Sequence, residues 1–253
     1  MIAAPIPKIP SLTIPEEVKV IPSVKIEPTV VDSLQQEFVE PPLLNELTTV
    51  DRLLITKRLP VKNVLCMRGK KNRFFVRTSD QNLIYTIEEE NNWWVGYLCY
   101  GLRPLQLRVR NCHGMEVMTI NRPFAFTSRV LPCQLQTLEI FSPPGHLIGT
   151  VQQQWTALRP LYLVLNERGD SLFWIRGPVN TLTCFKDVQF QIQRTDGEHV
   201  GATCKRWQGL THALFFAPVS DRFGVAFEQN LTVEEKALLM SVTILLDYMY
   251  YDS

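Results

Sequence analysis

Four histidines, six cysteines and one aspartate set inside an apolar run are the side chains of this 253-residue chain with the widest chemical reach. Hydrolytic, phosphoryl-transfer or dinucleotide chemistry needs such groups at fixed spacings, and no G-x-S-x-G, H-E-x-x-H, P-loop or G-x-G-x-x-G is present. His113, His146, His199 and His212 have no acid or nucleophile partner marked by spacing. A soluble hydrolase or dehydrogenase is therefore a poor fit. The cysteines (Cys66, Cys99, Cys112, Cys133, Cys184, Cys204) contain no C-x-x-C, which argues against a zinc site and against a secreted disulfide framework. Cys112-His113 reads as a turn between strands. Asp247 has Thr243 one helical turn before it on the same face. Such a pair would line a polar path, or form a satisfied pair in a core. The core is the preferred place.

The element that must position that pair is the last long hydrophobic stretch, residues 232–251, read as one helix. Thr232-x-x-Glu235 is a capping box: the Thr hydroxyl accepts from a first-turn amide, and Glu235 reaches back to the Thr amide. Glu234 and Glu235 also complement the positive end of the helix dipole. Such a helix belongs in a membrane or in a protein core. A span needs about 20 predominantly apolar residues. The run here is shorter and Asp247 interrupts it, so burial in protein is favoured over crossing.

The rest of the chain reads as short strands. Residues 105–110 and 188–193 alternate apolar and polar, which puts one set of side chains inward and the other outward. Further strands are expected at 73–77, 83–87, 115–120, 137–141, 161–165, 171–175, 199–207 and 224–227, and a short helix or first strand at 43–54. Turn signals separate them, among them Ser142-Pro-Pro-Gly145 and Thr195-Asp-Gly-Glu198. Many short antiparallel strands must hide their edges, and closing into a barrel does so. An apolar helix would fill the lumen. Residues 1–42 hold eight of the 17 prolines and are expected to be a disordered or polyproline-II leader, a spacer that recruits protein partners, ahead of a barrel domain at 43–253. The formal charge of +1 gives no electrostatic reason to bind nucleic acid. No signal peptide is expected, which points to a reducing, intracellular setting.

Nine short motifs then follow in order: Asn121-Arg-Pro123, Ser142-Pro-Pro-Gly145, Ile148-Gly-x-Val151, Gln154-Trp155, Ile175-x-Gly-Pro178, Asp187-Val-x-Phe-x-Ile192, Lys205-x-Trp-x-Gly209, Asp221-x-Phe-Gly-Val-x-Phe227 and Leu246-Asp-Tyr-Met249. Together they make the chain resemble the phospholipid scramblase family. The resemblance implies a tubby-like fold: a closed antiparallel barrel of about twelve strands around a central hydrophobic C-terminal helix. It implies ATP-independent, bidirectional movement of phospholipids between leaflets, triggered by calcium, with no covalent chemistry. The place would be the cytoplasmic face of the plasma membrane, with the nucleus as a second compartment. The alternative is a lipid- or protein-binding regulatory module without transport.

Three family features carry over residue by residue. The resemblance implies a calcium loop before the helix with four aspartates. Here those places read Val219, Asp221, Asn230 and Thr232, so one carboxylate remains, and Glu228 and Asn230 offer further oxygens. Calcium takes six to eight oxygen ligands. A cysteine-rich palmitoylation cluster is implied before the strand at 137–141, and only Cys133 stands there. One acyl chain anchors marginally, and stable attachment takes a second signal. A nuclear-import segment is implied at Gly201-Ala-Thr-Cys-Lys205-Arg-Trp207-Gln-Gly209. It keeps Lys205, Arg206 and Trp207 but has Ala202 where a lysine is usual, so an exposed strand edge is the favoured reading.

Overall fold

Alternation of buried and accessible side chains runs through most strands of the computed structural model, which describes residues 44–58, 72–90, 104–124, 135–179, 187–206, 222–228 and 230–250. The proline-rich segment 1–42 lies outside the described residues. The strands are β1 (Arg52–Arg58), β2 (Arg73–Thr78), β3 (Leu83–Glu90), β4 (Leu105–Asn111), β5 (Glu116–Arg122), β6 (Thr137–Phe141), β7 (Leu147–Gln154), β8 (Leu161–Asn166), β9 (Ser171–Arg176), β10 (Val188–Arg194), β11 (His199–Arg206) and β12 (Arg222–Phe227). Each pairs antiparallel with the next in sequence, and β12 returns to β1 through Leu53 opposite Val225, closing the barrel. A closed sheet leaves no unpaired edge.

One helix, α1 (Val233–Tyr250), follows β12. Every residue from Lys236 to Tyr248 is buried, so that stretch of the helix has no solvent face. The inward rows of the strands and the apolar residues of α1 form a single core. This is the closed barrel with a buried hydrophobic helix that the strand pattern and the resemblance led one to expect. Among the described residues, no helix is long and apolar enough to cross a membrane. Gly149 in β7 shows how closely helix and sheet approach: a Cβ there would lie 2.3 Å from the Leu165 carbonyl oxygen and 3.0 Å from the Leu238 methyls.

Residues 43–54 turn out to contain both expected elements, a single 3-10 turn at Asn45–Leu47 and then the start of β1. β7 is a strand that alternation did not mark. Its row toward the helix is Gly149, Val151 and Gln153, all buried, and only the valine among them is a large apolar residue.

The ordering of the strands gives the barrel two unlike ends. Tight turns join β2 to β3, β4 to β5, β6 to β7, β8 to β9 and β10 to β11 at one end. Longer segments join β1 to β2, β3 to β4, β5 to β6, β9 to β10 and β11 to β12 at the other. The helix enters from the tight-turn end, after β12, and finishes at the long-segment end.

Candidate functional site

Each end of the helix carries a polar cluster. At the entrance the capping box forms as expected: the Thr232 amide donates to Glu235 Oε2 at 2.8 Å, and the Glu235 amide donates to Thr232 Oγ1 at 3.2 Å. Arg194, at the end of β10, lies 3.5 Å from the other Glu235 oxygen. One residue on, the Lys236 ammonium is buried and donates to the carbonyls of Leu47 and Thr48, 3.0 Å each, tying the 3-10 turn to the helix. Burial pushes its pKa below the usual lysine value, and the Asp51 carboxylate partly opposes this. The buried Tyr85 hydroxyl donates to Glu46 Oε2 at 2.8 Å; desolvation first, and then Glu46, raise its pKa above the ordinary tyrosine value.

This entrance is where the calcium residues of the resemblance fall. Asp221 lies outside the described residues. Glu228, Asn230 and Thr232 are exposed. Thr232 Oγ1 already accepts the Glu235 amide, which leaves Glu228 as the one carboxylate of the described three. Those three do not fit an ion that takes six to eight oxygens, usually with several carboxylates among them. Among the described residues, no three His, Cys, Asp or Glu side chains come together as a metal site.

At the far end of the helix the barrel interior turns polar. The inward rows of β1, β3, β5 and β7 run Leu53, Ile55, Lys57; Tyr85, Ile87, Glu89; Met118, Ile120, Arg122; and Gly149, Val151, Gln153. Each ends on a buried polar residue, so four strands supply one polar layer around the last turns of α1. Lys57 Nζ donates to Asp247 Oδ2 at 2.8 Å, with both side chains nearly inaccessible. The Tyr248 hydroxyl donates to Glu89 Oε2 at 2.9 Å, and the Asn72 amide donates to the same oxygen at 3.1 Å. The Arg122 guanidinium sits 5.7 Å from the Tyr248 ring centre, and Lys57 Nζ 5.6 Å from it. Cations over an aromatic face are attracted by its quadrupole. Low dielectric strengthens such a network when it is satisfied and penalises it when broken.

Thr243 and Asp247 are both buried. The Thr243 hydroxyl donates back to the Leu239 carbonyl at 3.0 Å, while Asp247 is ion-paired with Lys57. Lys205 is half-buried with its ammonium 5.2 Å from the Phe223 ring centre. Arg206 ends β11 opposite Arg222. Trp207 and Cys133 lie outside the described residues. Lys57, Glu89 and Arg122 were not singled out from the sequence. Their signal was there, however: a charge at the inward parity of an otherwise apolar row.

A closed antiparallel barrel filled by its own C-terminal helix, with one polar cluster at each helix end, is the architecture to be placed. The scramblase family model matches residues 32–253, and the chain belongs to that family, whose members are generally lipid translocators. Among individual relatives, it is 33% identical over 213 residues to phospholipid scramblase 2 of Bos taurus, covering 84% of this chain and 72% of that one. It is 32% identical over 214 residues to phospholipid scramblase 1 of Homo sapiens, covering 84% and 67%, and 31% identical over 216 residues to phospholipid scramblase 4 of Homo sapiens, covering 84% and 64%. The chain thus spans roughly two thirds of the length of these relatives. No solved structure matches it.

Proposed function

We propose that the chain works on phospholipid bilayers as a scramblase, moving lipids between leaflets in both directions without ATP. The observation that carries this reading is the match of the scramblase family over residues 32–253, which includes the whole barrel and its helix. The test is the purified protein in vesicles with a fluorescent lipid in both leaflets and a membrane-impermeant quencher outside. Scrambling exposes both pools, whereas loss of the outer pool alone overturns the transport reading.

A second reading, a lipid- or protein-binding module without transport, is favoured by one feature. Among the described residues the interior is filled by buried side chains, and its polar layer is tied up in the Lys57–Asp247 ion pair and the Tyr248–Glu89 hydrogen bond, so that interior offers a headgroup no open polar path. Translocation would then act from the protein's outer surface. Vesicle binding with no change in leaflet distribution selects this second reading.

Calcium is proposed to bind this loop weakly at most, with Asp221 and Glu228 as its carboxylates. Titration calorimetry is expected to give millimolar or weaker affinity, given so few charged ligands; micromolar binding refutes this. The proposed place is the cytoplasmic face of the plasma membrane, with a thioester-linked acyl chain at Cys133 as one of two anchoring signals. Release from membranes by hydroxylamine in the wild type, and its absence in Cys133→Ser, tests that anchor. Nuclear entry through Lys205, Arg206 and Trp207, and recruitment of protein partners by residues 1–42, complete the proposal.

A further inference from the structure

The two rims of the barrel differ in charge and in exposed apolar surface. Among the described residues, the turns at the tight-turn end carry five carboxylates, Asp80, Glu167, Asp170, Asp196 and Glu198, against Arg168 alone. At the long-segment end the charges of the described connecting residues balance, Arg159 against Asp187, and four exposed large apolar side chains stand there, against Leu83 and Met115 at the tight-turn end. Trp155 and Leu158, between β7 and β8, are 54% and 72% exposed, and Val179, just past β9, is 53% exposed. Phe124, past the end of β5 on the same rim, is 46% exposed. Exposed large apolar side chains gathered on one face mark an interaction surface.

Register places two arginines among them. Arg176 stands opposite Leu161 at the β8–β9 ladder, and the Gly177 amide donates to the Pro160 carbonyl at 2.8 Å. The exposed Arg159 and Arg176 therefore flank the Trp155–Leu158 loop, which is held by the Thr156 hydroxyl donating to the Arg159 carbonyl. In sequence, segments 59–71, 91–103 and 125–134, which join strands at this end, contain Lys or Arg but no Asp or Glu; the β9–β10 connection has Lys186 beside Asp187, and 207–221 has Asp221 and no Lys or Arg.

We infer that the long-segment rim, centred on Trp155, Leu158, Arg159 and Arg176, is the face that docks on an anionic phospholipid surface. The chemistry is complementary at two depths. Tryptophan sits at the headgroup level of a bilayer, with its ring in the apolar boundary and its N–H toward water. Leu158 adds apolar area below it. The arginines meet lipid phosphates and carboxylates, and guanidinium forks suit both. The acidic opposite rim, with the helix entrance, then faces away from the bilayer, repelled by it. This orientation rests on the membrane reading of the proposed function and adds to it which end of the barrel makes contact.

The test is co-sedimentation of the full chain with phosphatidylcholine vesicles, with and without phosphatidylserine, across a salt series. Wild type is expected to bind the phosphatidylserine vesicles and to release with salt. A basic residue near an anionic surface contributes about a fivefold factor to partitioning, so Arg159→Gln with Arg176→Gln is expected to lower it by roughly tenfold or more. Trp155→Ser with Leu158→Ser is expected to lower it as well, and Asp196→Asn with Glu198→Gln to leave it undiminished. All six side chains are at least partly exposed, and unchanged circular dichroism and unfolding midpoints show that the fold is kept. A blue shift of tryptophan emission on vesicle addition, lost in Trp155→Phe, is a second readout. If both rim variants bind as the wild type does, the docking face lies elsewhere while the membrane reading stands. If the wild type binds neither vesicle, the membrane reading itself falls. If the rim variants lose a protein partner but keep vesicle binding, the face is a protein interface and the inference is overturned.

Discussion

Asp247 and Lys57 are buried together at the end of the helix, their side chains almost wholly inaccessible. Removing one partner of such a pair leaves the other uncompensated, whereas replacing both by apolar groups of similar size is often neutral. Asp247→Ala is expected to lower stability by about 3–5 kcal/mol, and Lys57→Met combined with Asp247→Leu to recover most of that loss. Chemical denaturation of the three variants checks it; a double variant as weak as the single one would show that the pair's charge is not the cause. A second prediction concerns Tyr85, whose pKa is raised by burial and by Glu46. A raised acid holds its proton in the folded state, so its contribution is full below the unfolded value of 10.0 and is lost as pH rises above it. The stability advantage of wild type over Tyr85→Phe should therefore shrink above pH 10, by at most about 1.4 kcal/mol per pH unit. A pH-independent difference would refute the assignment. Lys236, with its lowered pKa, has the opposite sign: its penalty is relieved as pH rises toward 10.5, which is why the comparison is made with Tyr85→Phe rather than with wild type alone. Both groups were partly legible. Asp247 stood out as a charge inside an apolar run, but its partner lies 190 residues away in sequence, and only the inward parity of β1 marks Lys57.

At the scale of elements, the helix start and the β7 contact are the places where one atom decides the outcome. Thr232→Ala removes the acceptor for the Glu235 amide and should cost about 1 kcal/mol. Gly149→Ala places a methyl against the Leu165 carbonyl and the Leu238 methyls, and overpacking of this kind costs about 1–3 kcal/mol. Thermal melts of the two variants rank them, with Gly149→Ala the lower; the reverse order would mean that β7 yields without cost. These two elements also show why the sequence spoke unevenly. The capping box is local chemistry over four residues, so Thr232 and Glu235 could be read directly. The strand β7 buries a glycine, a valine and a glutamine, because a nearby helix takes the space that larger side chains would fill. Period-two alternation vanishes where that happens. The charged ends of the inward rows escaped for a related reason: hydrophobic periodicity counts apolar residues, and a buried Lys57, Glu89 or Arg122 looks like a surface residue until its strand is placed.

For the whole molecule, the fate of the helix follows from what it buries. Hydropathy left two destinations open, and the closed barrel supplies the one inside protein. Leu238, Leu239, Met240, Val242, Ile244, Leu245 and Leu246 are all buried. At about 1.5–3 kcal/mol per large apolar side chain, their transfer to water would cost roughly 10–20 kcal/mol. A domain's entire stability is about 5–15 kcal/mol. Withdrawing α1 is therefore equivalent to unfolding the barrel, and the lumen it left would expose the inward rows of twelve strands as well. Any lipid movement must proceed with the helix in place, or the protein must trade one solvent-free environment for another at the cost of its whole sheet. Amide hydrogen exchange separates these. In solution the helical amides from residue 237 to 248 should exchange only through global unfolding, at the slowest rates in the chain, alongside the central strand amides. On phosphatidylserine vesicles both sets should keep that protection. Retained protection in the helix with loss of protection across the barrel strands would mean that the helix had left the barrel for the bilayer. Unchanged protection in both, measured while a fluorescent lipid changes leaflets, would place the headgroup path on the outside of a barrel that stays shut.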